Sequence, residues 1–174
     1  MKIIQEKRAY IEEFQKLSIF KFMSATEILH IISDSELFHY DDTEKIVNQG
    51  EINQNILVVV NGTVQVNVRE DSGKDVYICS IEKGEIFGEA GMFLRVRRTA
   101  NIVSLDESVI LRIPRPVIMR FIKENPSTGN KLLLVIIHSL LKKLRGANQE
   151  LAFEKMCEVQ FGDLDSLLEE LSDK

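Results

Sequence analysis

The residues of this chain that are best suited to bind a ligand lie within positions 84–102, which read GEIFGEAGMFLRVRRTANI. Glycine lets backbone N–H groups approach a ligand closely, and consecutive N–H groups that point the same way form an anion site. A guanidinium fits phosphate oxygens, whereas a carboxylate accepts hydrogen bonds from a sugar hydroxyl. Gly88, Glu89, Arg98 and Thr99 therefore predict a site for a sugar phosphate that carries a free hydroxyl.

The same segment has a simpler interpretation as a surface loop. Glu89 and Arg98 would then form a solvent-exposed ion pair, which contributes little to stability. Two further arginines, Arg95 and Arg97, lie in the segment and are expected to face solvent, because one phosphate group needs few positive charges. The order and spacing of the residues favour the ligand site.

The composition limits the classes of function. The 174 residues carry a formal net charge of −5, which argues against nucleic acid as the main partner. His39 is the only histidine in the strand-rich region, so neither a metal site nor a metal-dependent enzyme is expected. We therefore expect a binding protein without catalytic activity.

Three features predict a cytoplasmic location. Cys79 and Cys157 lie far apart with no C-x-x-C pair, which fits a reducing compartment. The charged N-terminus lacks the pattern of a signal peptide. The most apolar run, Leu132 to Ile137, is too short to span a bilayer.

The hydrophobic pattern predicts the elements that must position the candidate residues. Residues 1–35 have apolar positions at three- and four-residue spacing, which predicts helices, and Ser24 with Glu27 has the form of a capping box. Residues 36–113 contain short strands, which predict an antiparallel β-roll resembling a jelly roll. Asn61-Gly62 predicts a hairpin between two of these strands. The expected fold class is α+β.

Residues 114–156 are predicted to form C-terminal helices that serve as a lid and a dimerisation element. Pro114 and Pro116 stand where a helix is expected to start, and Pro126 where it is expected to end or bend. Within them, Leu132–Leu144 is apolar almost all round, which is broader than the stripe of a monomer's surface helix. This helix is either buried against the barrel alone or also buried against a second copy, and we favour the homodimer. Residues 157–174 form an acidic tail, expected to be a solvated terminus or a short amphipathic helix.

The stretch FGEAGMFLRVRRTANI closely resembles the phosphate-binding cassette of the cyclic nucleotide-binding domain family. The residues that match the family's pattern in order are Phe87, Gly88, Glu89, Arg98, Thr99 and Ala100. The turn NQGE at 48–51 and the stretch ILVVVNGTVQV at 56–66 also match the family's layout. Two departures are Arg97, where the family often has proline, and Gly91, where alanine is common. The resemblance implies a β-roll flanked by helices.

The family resemblance also implies roles for individual residues toward cAMP or cGMP. Arg98 would pair with the cyclic phosphate, and Glu89 would accept a hydrogen bond from the ribose 2′-hydroxyl. Backbone groups would complete the site at Gly88 and Ala90 and at Thr99 or Ala100.

The resemblance is compatible with either base, guanine or adenine. Threonine at the position of Thr99 is associated with tolerance of cGMP in nucleotide-gated channels. In the catabolite-activator branch a residue of the long helix contacts adenine, and an ungapped match places Asn148 there, whose amide offers both a donor and an acceptor. An ordinary polar position on the helix is the alternative for Asn148. We lean slightly toward cAMP.

In this family the domain is a sensor whose C-terminal helices rearrange on ligand binding. The residues after Asn148 are few and acidic, which argues against an attached DNA-binding domain. The sequence also predicts neither a channel nor a kinase, so we expect a stand-alone protein that signals to an unidentified protein effector. The alternative is a roll that binds no nucleotide and serves only as a dimerisation scaffold.

Overall fold

The structure is a computed structural model that describes the backbone of residues 1–172 and the side chains of residues 1–152. The chain divides into two compact units, Met1–Ile137 and His138–Lys174. The first unit contains the predicted β-roll and the helices that precede it. The second unit belongs to one long C-terminal helix.

Two antiparallel sheets, with strands numbered in chain order, form the roll and confirm the predicted fold. The five-stranded sheet has the order β1 (Lys2–Ile3), β2 (Glu36–Tyr40), β9 (Ser108–Pro114), β4 (Asn55–Asn61) and β7 (Ile86–Phe87). The four-stranded sheet has the order β3 (Lys45–Val47), β8 (Asn101–Ser104), β5 (Thr63–Arg69) and β6 (Asp75–Glu82). Alternate side chains of both sheets meet inside the roll and form its core, which includes Phe38, Leu57, Val64 and Ile110.

The predicted hairpin at Asn61-Gly62 is wrong. β4 pairs with β7 and β9, whereas β5 pairs with β6 and β8, so the chain changes sheets at this turn. Both edges of β4 are already occupied, which leaves no edge for β5. Gly62 instead turns a corner at φ 83°, where an added Cβ would lie 2.6 Å from the Asp106 carboxylate and from the Ser108 hydroxyl. Asp106 also accepts a hydrogen bond of 2.8 Å from the Thr63 N–H and fixes that corner.

The N-terminal segment is mostly helical, as predicted, but Lys2–Ile3 forms strand β1 instead. It contains helices α1 (Ile11–Lys16) and α2 (Ala25–Ser33) and two 3-10 turns. The predicted capping box opens α2: the Glu27 N–H donates to the Ser24 hydroxyl at 3.3 Å, and the Ser24 N–H donates to the Glu27 carboxylate at 2.8 Å.

Three helices follow the first seven strands. Helix α3 (Glu89–Leu94) lies within the roll region and was not predicted, whereas α4 (Arg115–Glu124) and α5 (Pro126–Ser172) begin next to the prolines expected to mark helix boundaries. The apolar run at the start of α5 is divided, because Leu132 is 2% exposed and Leu134 is 65% exposed. No helix in the described part of the chain is long and apolar enough to cross a membrane. The predictions for the acidic tail at 157–174 and for Cys157 concern side chains outside the described residues.

Candidate functional site

The fold brings the two halves of the predicted site together. Gly88 follows β7 and precedes α3, and its φ of 82° lies in the left-handed region, where glycine avoids the cost of a side chain. Glu89 is the first residue of α3 and is only 4% exposed. Arg98 lies at the other end of the connecting loop, just before β8, and is 8% exposed.

The backbone of Arg98 is fixed by the NQGE turn. Its N–H donates to the Glu51 carbonyl at 2.8 Å, and its carbonyl accepts from the Gly50 N–H at 2.8 Å. A further bridge joins Ile52 with Arg97. The turn, which the sequence singled out only as a family match, therefore determines where the Arg98 side chain leaves the backbone.

The Arg98 guanidinium lies against two backbone carbonyls, one just before α3 and one at the start of β4. Nη1 donates to the Gly88 carbonyl at 2.9 Å, and Nη2 donates to the Asn55 carbonyl at 2.8 Å. Nη2 also lies 3.5 Å from the Asn53 side-chain oxygen, which in turn accepts from the Asn55 N–H at 2.9 Å. All three acceptors are neutral, so the direct hydrogen bonds leave the positive charge of the guanidinium uncompensated.

Two glycines make room for this guanidinium. A Cβ added at Gly88 would lie 2.3 Å from Arg98 Nη1, and a Cβ added at Gly91 would lie 3.2 Å from the same atom. The Gly91 Cβ would also lie 2.7 Å from the Asn53 carbonyl. Gly91 is therefore a steric requirement of the site. In the sequence it stood out only as a departure from the family pattern.

Burial and neighbouring charges act in opposite directions on Arg98. Burial lowers the pKa of the guanidinium below its ordinary value, and the carboxylates of Glu51 and Glu89 raise it. Arg112, on β9, also lowers the pKa of Arg98 through like-charge repulsion. A buried cation under these conditions gains from an added anion, because desolvated charges are strongly stabilised by a partner.

The Arg98 side chain retains one buried donor. Its Nε–H has no hydrogen-bond partner among the described residues. An unpaired buried donor is destabilising, and a ligand oxygen would satisfy it. The positive charge of the guanidinium and this unsatisfied donor together fit a phosphate group.

The remaining predicted residues differ in what they can offer a ligand. The Phe87 side chain is 5% exposed and belongs to the core of the roll. Ala90 and Thr99 are exposed, and Ala100 is 8% exposed. Asn148 is exposed on the second unit, and its predicted contact with a base stays a prediction.

Arg95 and Arg97, the two further arginines of the segment, are expected to face solvent, and the structure agrees with this in part. Arg95 and Arg97 are both exposed. Arg97 Nη1 nevertheless donates to the Gly50 carbonyl at 2.8 Å, so this side chain braces the turn that fixes Arg98.

Sequence reasoning missed Asn53 and Asn55, which contact the guanidinium. Asn55 acts through its carbonyl, a group that every residue carries, so its identity held no signal. The only available signal was the clustering of asparagines after the NQGE turn.

No group of three or more potential metal ligands is present in the part of the chain that the structure describes.

Comparisons with known proteins agree with this geometry. A family model described as a cyclic nucleotide-binding domain matches residues 37–125, which is more than half of the chain. A crystal structure of a cyclic nucleotide-binding domain from Methylobacillus flagellatus KT superposes with a TM-score of 0.74, at 20% identity over 83% of each chain.

Two curated relatives contain a similar segment within longer proteins. The chain is 26% identical over 137 residues to a potassium channel of Oryza sativa subsp. japonica, and the match covers 78% of this chain and 22% of the channel. It is 27% identical over 105 residues to a cAMP-dependent protein kinase regulatory subunit of Mycosarcoma maydis, covering 60% of this chain and 20% of the subunit. With the family model matched over residues 37–125 and the roll and its arginine in place, the chain belongs to the cyclic nucleotide-binding domain family.

Proposed function

We propose that the β-roll binds a cyclic purine nucleotide, with a slight preference for cAMP, and that the protein acts as a non-catalytic regulatory sensor. The observation that carries the proposal is the buried Arg98 guanidinium, whose direct partners are neutral and whose Nε–H is unsatisfied. One anionic phosphate would supply both the missing charge and the missing acceptor. The relative described as cAMP-dependent supports the choice of ligand.

Six of the predicted residues have a role in this proposal. Arg98 binds the cyclic phosphate, and the buried carboxylate of Glu89 accepts a hydrogen bond from the ribose 2′-hydroxyl. Backbone groups at Gly88 and Ala90 and at Thr99 or Ala100 complete the contacts, and the exposed Thr99 hydroxyl faces the ligand. These positions flank a single turn and loop, so one small ligand can contact all of them.

Signalling through the C-terminal helices is part of the proposal. Arg115, the first residue of α4, donates from Nε to the Met92 carbonyl of α3 at 3.1 Å. A change in α3 on ligand binding would therefore act directly on α4. α4 is also tied to α2 by the Arg120–Asp34 ion pair and by His30, which lies 3.5 Å from Glu124. Hydrogen exchange should change in α4 and α5 on saturation, and unchanged exchange in both helices would refute this route.

We also propose a homodimer formed through α5 and an unidentified protein effector. The support for the homodimer is the exposed apolar surface of α5, where Leu134, Leu141 and Leu144 are all more than half exposed. A cytoplasmic setting completes the proposal, because Cys79 and Cys157 lie far apart in the sequence with no C-x-x-C pair, which fits a reducing compartment.

The test is calorimetric titration of cAMP and cGMP, separately, into wild type, Arg98→Ala and Arg95→Ala. Loss of a charge-assisted phosphate contact should weaken binding by about 2–3 kcal/mol, or on the order of tenfold to more than a hundredfold. Arg95→Ala removes an exposed cation from the same loop, so it controls for general electrostatic attraction and should bind nearly as wild type. No heat with either nucleotide, in protein freed of carried-over ligand, would favour the dimerisation scaffold.

A further inference from the structure

The end of α3 and the loop that follows it carry a run of exposed residues. Residues 93–97, which read FLRVR, are five consecutive exposed positions. The apolar side chains among them, Phe93, Leu94 and Val96, are 42%, 68% and 41% exposed. Ile52, which a β-bridge joins to the end of this run, is 65% exposed. We call residues 93–97 together with Ile52 the loop tip.

The loop tip is exposed although the residue just before it is fully buried. Met92 is 0% exposed, and its carbonyl accepts a hydrogen bond of 3.1 Å from Arg115 Nε at the start of α4. Neither the roll nor α4 covers the next two side chains, Phe93 and Leu94. Apolar side chains that stay exposed next to one another after folding are typical of a binding surface.

The backbone holds the loop tip in one shape. Arg95 has a φ of 52°, in the left-handed region that is unfavourable for a residue with a side chain. Such a conformation persists only where the surrounding structure fixes it, and it is found most often at functional sites. Here Arg97 Nη1 donates to the Gly50 carbonyl at 2.8 Å, and the backbone of Arg98 is bonded to the same turn. The tip is therefore ordered before it meets a partner.

The charge of the loop tip is opposite to that of the chain. The whole chain has a formal net charge of −5, whereas positions 90–105 hold three arginines and no acidic residue. Two of these arginines, Arg95 and Arg97, are exposed at the tip. Glu51, in the neighbouring turn, offsets part of their charge. The tip thus combines exposed apolar side chains with a local excess of positive charge, which complements an anionic surface.

We propose that the loop tip inserts into the surface of an anionic lipid bilayer, with Phe93, Leu94 and Val96 below the headgroups and Arg95 and Arg97 at the lipid phosphates. Apolar side chains enter the boundary between headgroups and acyl chains, and cations beside them are attracted to anionic lipid. A protein partner is the weaker alternative, because a standard interface needs about 800 Å² from each side, far more than a tip of six residues. The proposal does not depend on nucleotide binding.

Co-sedimentation of the full-length chain with lipid vesicles tests membrane binding. Wild type should bind vesicles of phosphatidylcholine with about 30% phosphatidylserine, with half-saturation on the order of 0.1–1 mM lipid. Vesicles of phosphatidylcholine alone should bind at least about tenfold more weakly, because they offer the two arginines no net negative charge. No binding at about 1 mM anionic lipid, or equal binding to both kinds of vesicle, would overturn the proposal.

Substitutions test which side chains bind the vesicles. Leu94→Ser removes an apolar side chain from the tip and should weaken binding by about tenfold or more. Leu105→Ser is its control, because this leucine is 44% exposed but lies after the far end of β8, so the variant should bind nearly as wild type. Arg95→Asn removes one cation with a residue that tolerates a left-handed φ, and should weaken binding about fivefold. Equal effects of the two serine variants would contradict the proposal.

A fluorescence measurement distinguishes insertion from adsorption. The chain contains no tryptophan, so Phe93→Trp introduces a single reporter at the tip. Its emission should shift to shorter wavelength on addition of anionic vesicles and should be quenched by brominated acyl chains, because the indole enters an apolar environment. Leu105→Trp should show neither effect. Co-sedimentation of Phe93→Trp without a spectral shift would reject insertion of the apolar side chains.

Arg98→Ala separates the loop tip from the candidate nucleotide site. This variant should lose nucleotide affinity and still sediment with anionic vesicles, whereas Leu94→Ser should lose vesicle binding and keep its nucleotide affinity. Loss of vesicle binding in Arg98→Ala, with Leu94→Ser unaffected, would place the lipid phosphate at the nucleotide site and reject the proposal. Failure of the proposed function would instead appear as vesicle binding by a wild type that binds neither cAMP nor cGMP.

Discussion

A pair of glycine substitutions tests whether the Arg98 guanidinium depends on the space beside Gly88. Gly88 has a φ of 82° and Gly84 has a φ of 87°, so alanine at either position adopts the same unfavourable backbone conformation. The surroundings differ, because a Cβ at Gly84 meets nothing within 4 Å, whereas a Cβ at Gly88 lies 2.3 Å from Arg98 Nη1. Gly84→Ala is therefore a matched control for Gly88→Ala.

The expected magnitudes follow from these two contributions. The left-handed conformation costs about 1–2 kcal/mol for a residue with a side chain, and this applies to both variants. Gly88→Ala also displaces the guanidinium from the Gly88 and Asn55 carbonyls, where the hydrogen bonds measure 2.9 and 2.8 Å. Hydrogen bonds to charged groups contribute about 1.5–3 kcal/mol each and are not additive, so we expect an additional loss of about 2–4 kcal/mol.

Urea denaturation followed by circular dichroism measures the change in unfolding free energy, and nucleotide titration measures the change in affinity. Gly84→Ala should lose about 1–2 kcal/mol of unfolding free energy and bind nucleotide nearly as wild type. Gly88→Ala should lose about 3–6 kcal/mol in total and bind at least about tenfold more weakly. Equal stability losses would show that the guanidinium moves away without cost, and unchanged binding by Gly88→Ala would show that its observed position is irrelevant to the ligand.

Two further predictions concern the N-terminal helices. Lys7 Nζ donates to three backbone carbonyls at the end of α2, at 2.7, 2.9 and 2.6 Å, so Lys7→Met should reduce the free energy of unfolding by about 2–3 kcal/mol. Lys16→Met, on the exposed side of α1, is the control in the same denaturation assay, and an equal effect would contradict the capping role. The Ser24 N–H, followed by the Thr128 and Ser24 side chains, lowers the pKa of Glu27 below its ordinary value of 4.5. The stabilising effect of the Glu27 carboxylate is therefore present above the ordinary pKa and is lost as the pH falls through the lowered pKa. The free energies of unfolding of Glu27→Gln and wild type should converge on acidification. A constant difference between them down to the acid transition would argue against the capping carboxylate.

The parts of the fold that could be predicted are those that local chemistry determines. The Ser24 capping box and the prolines at helix boundaries act over a few residues, and each lies where the sequence predicted a helix to begin or end. The turn at Asn61-Gly62 has the local chemistry of a hairpin, yet pairing depends on which strand edges are free. Whether β4 has a free edge is determined by β7 and β9, which are distant from it in the chain.

The candidate site also has one part that local chemistry predicted and another part that depends on the fold. The sequence identified Glu89 and Arg98 from their chemistry and placed them on one site, and the structure buries both. It could not show that the guanidinium turns toward the Gly88 and Asn55 carbonyls, because those acceptors belong to the backbone. The steric role of Gly91 is likewise a matter of close approach, which is visible only once Asn53 is placed next to it.

The strand order also determines when the candidate site can form as the chain is made. β8 and β9 are the last strands to leave the ribosome, yet β8 lies between β3 and β5, and β9 lies between β2 and β4. Until they arrive, each sheet consists of two separate pieces. The loop that joins Gly88 to Arg98 comes before both strands and gains its second anchor only when β8 pairs. Completion of the candidate site is thus coupled to a non-local step of folding, in which Val47 of β3 pairs with Ile102 of β8. Such long-range strand pairing is associated with slow folding.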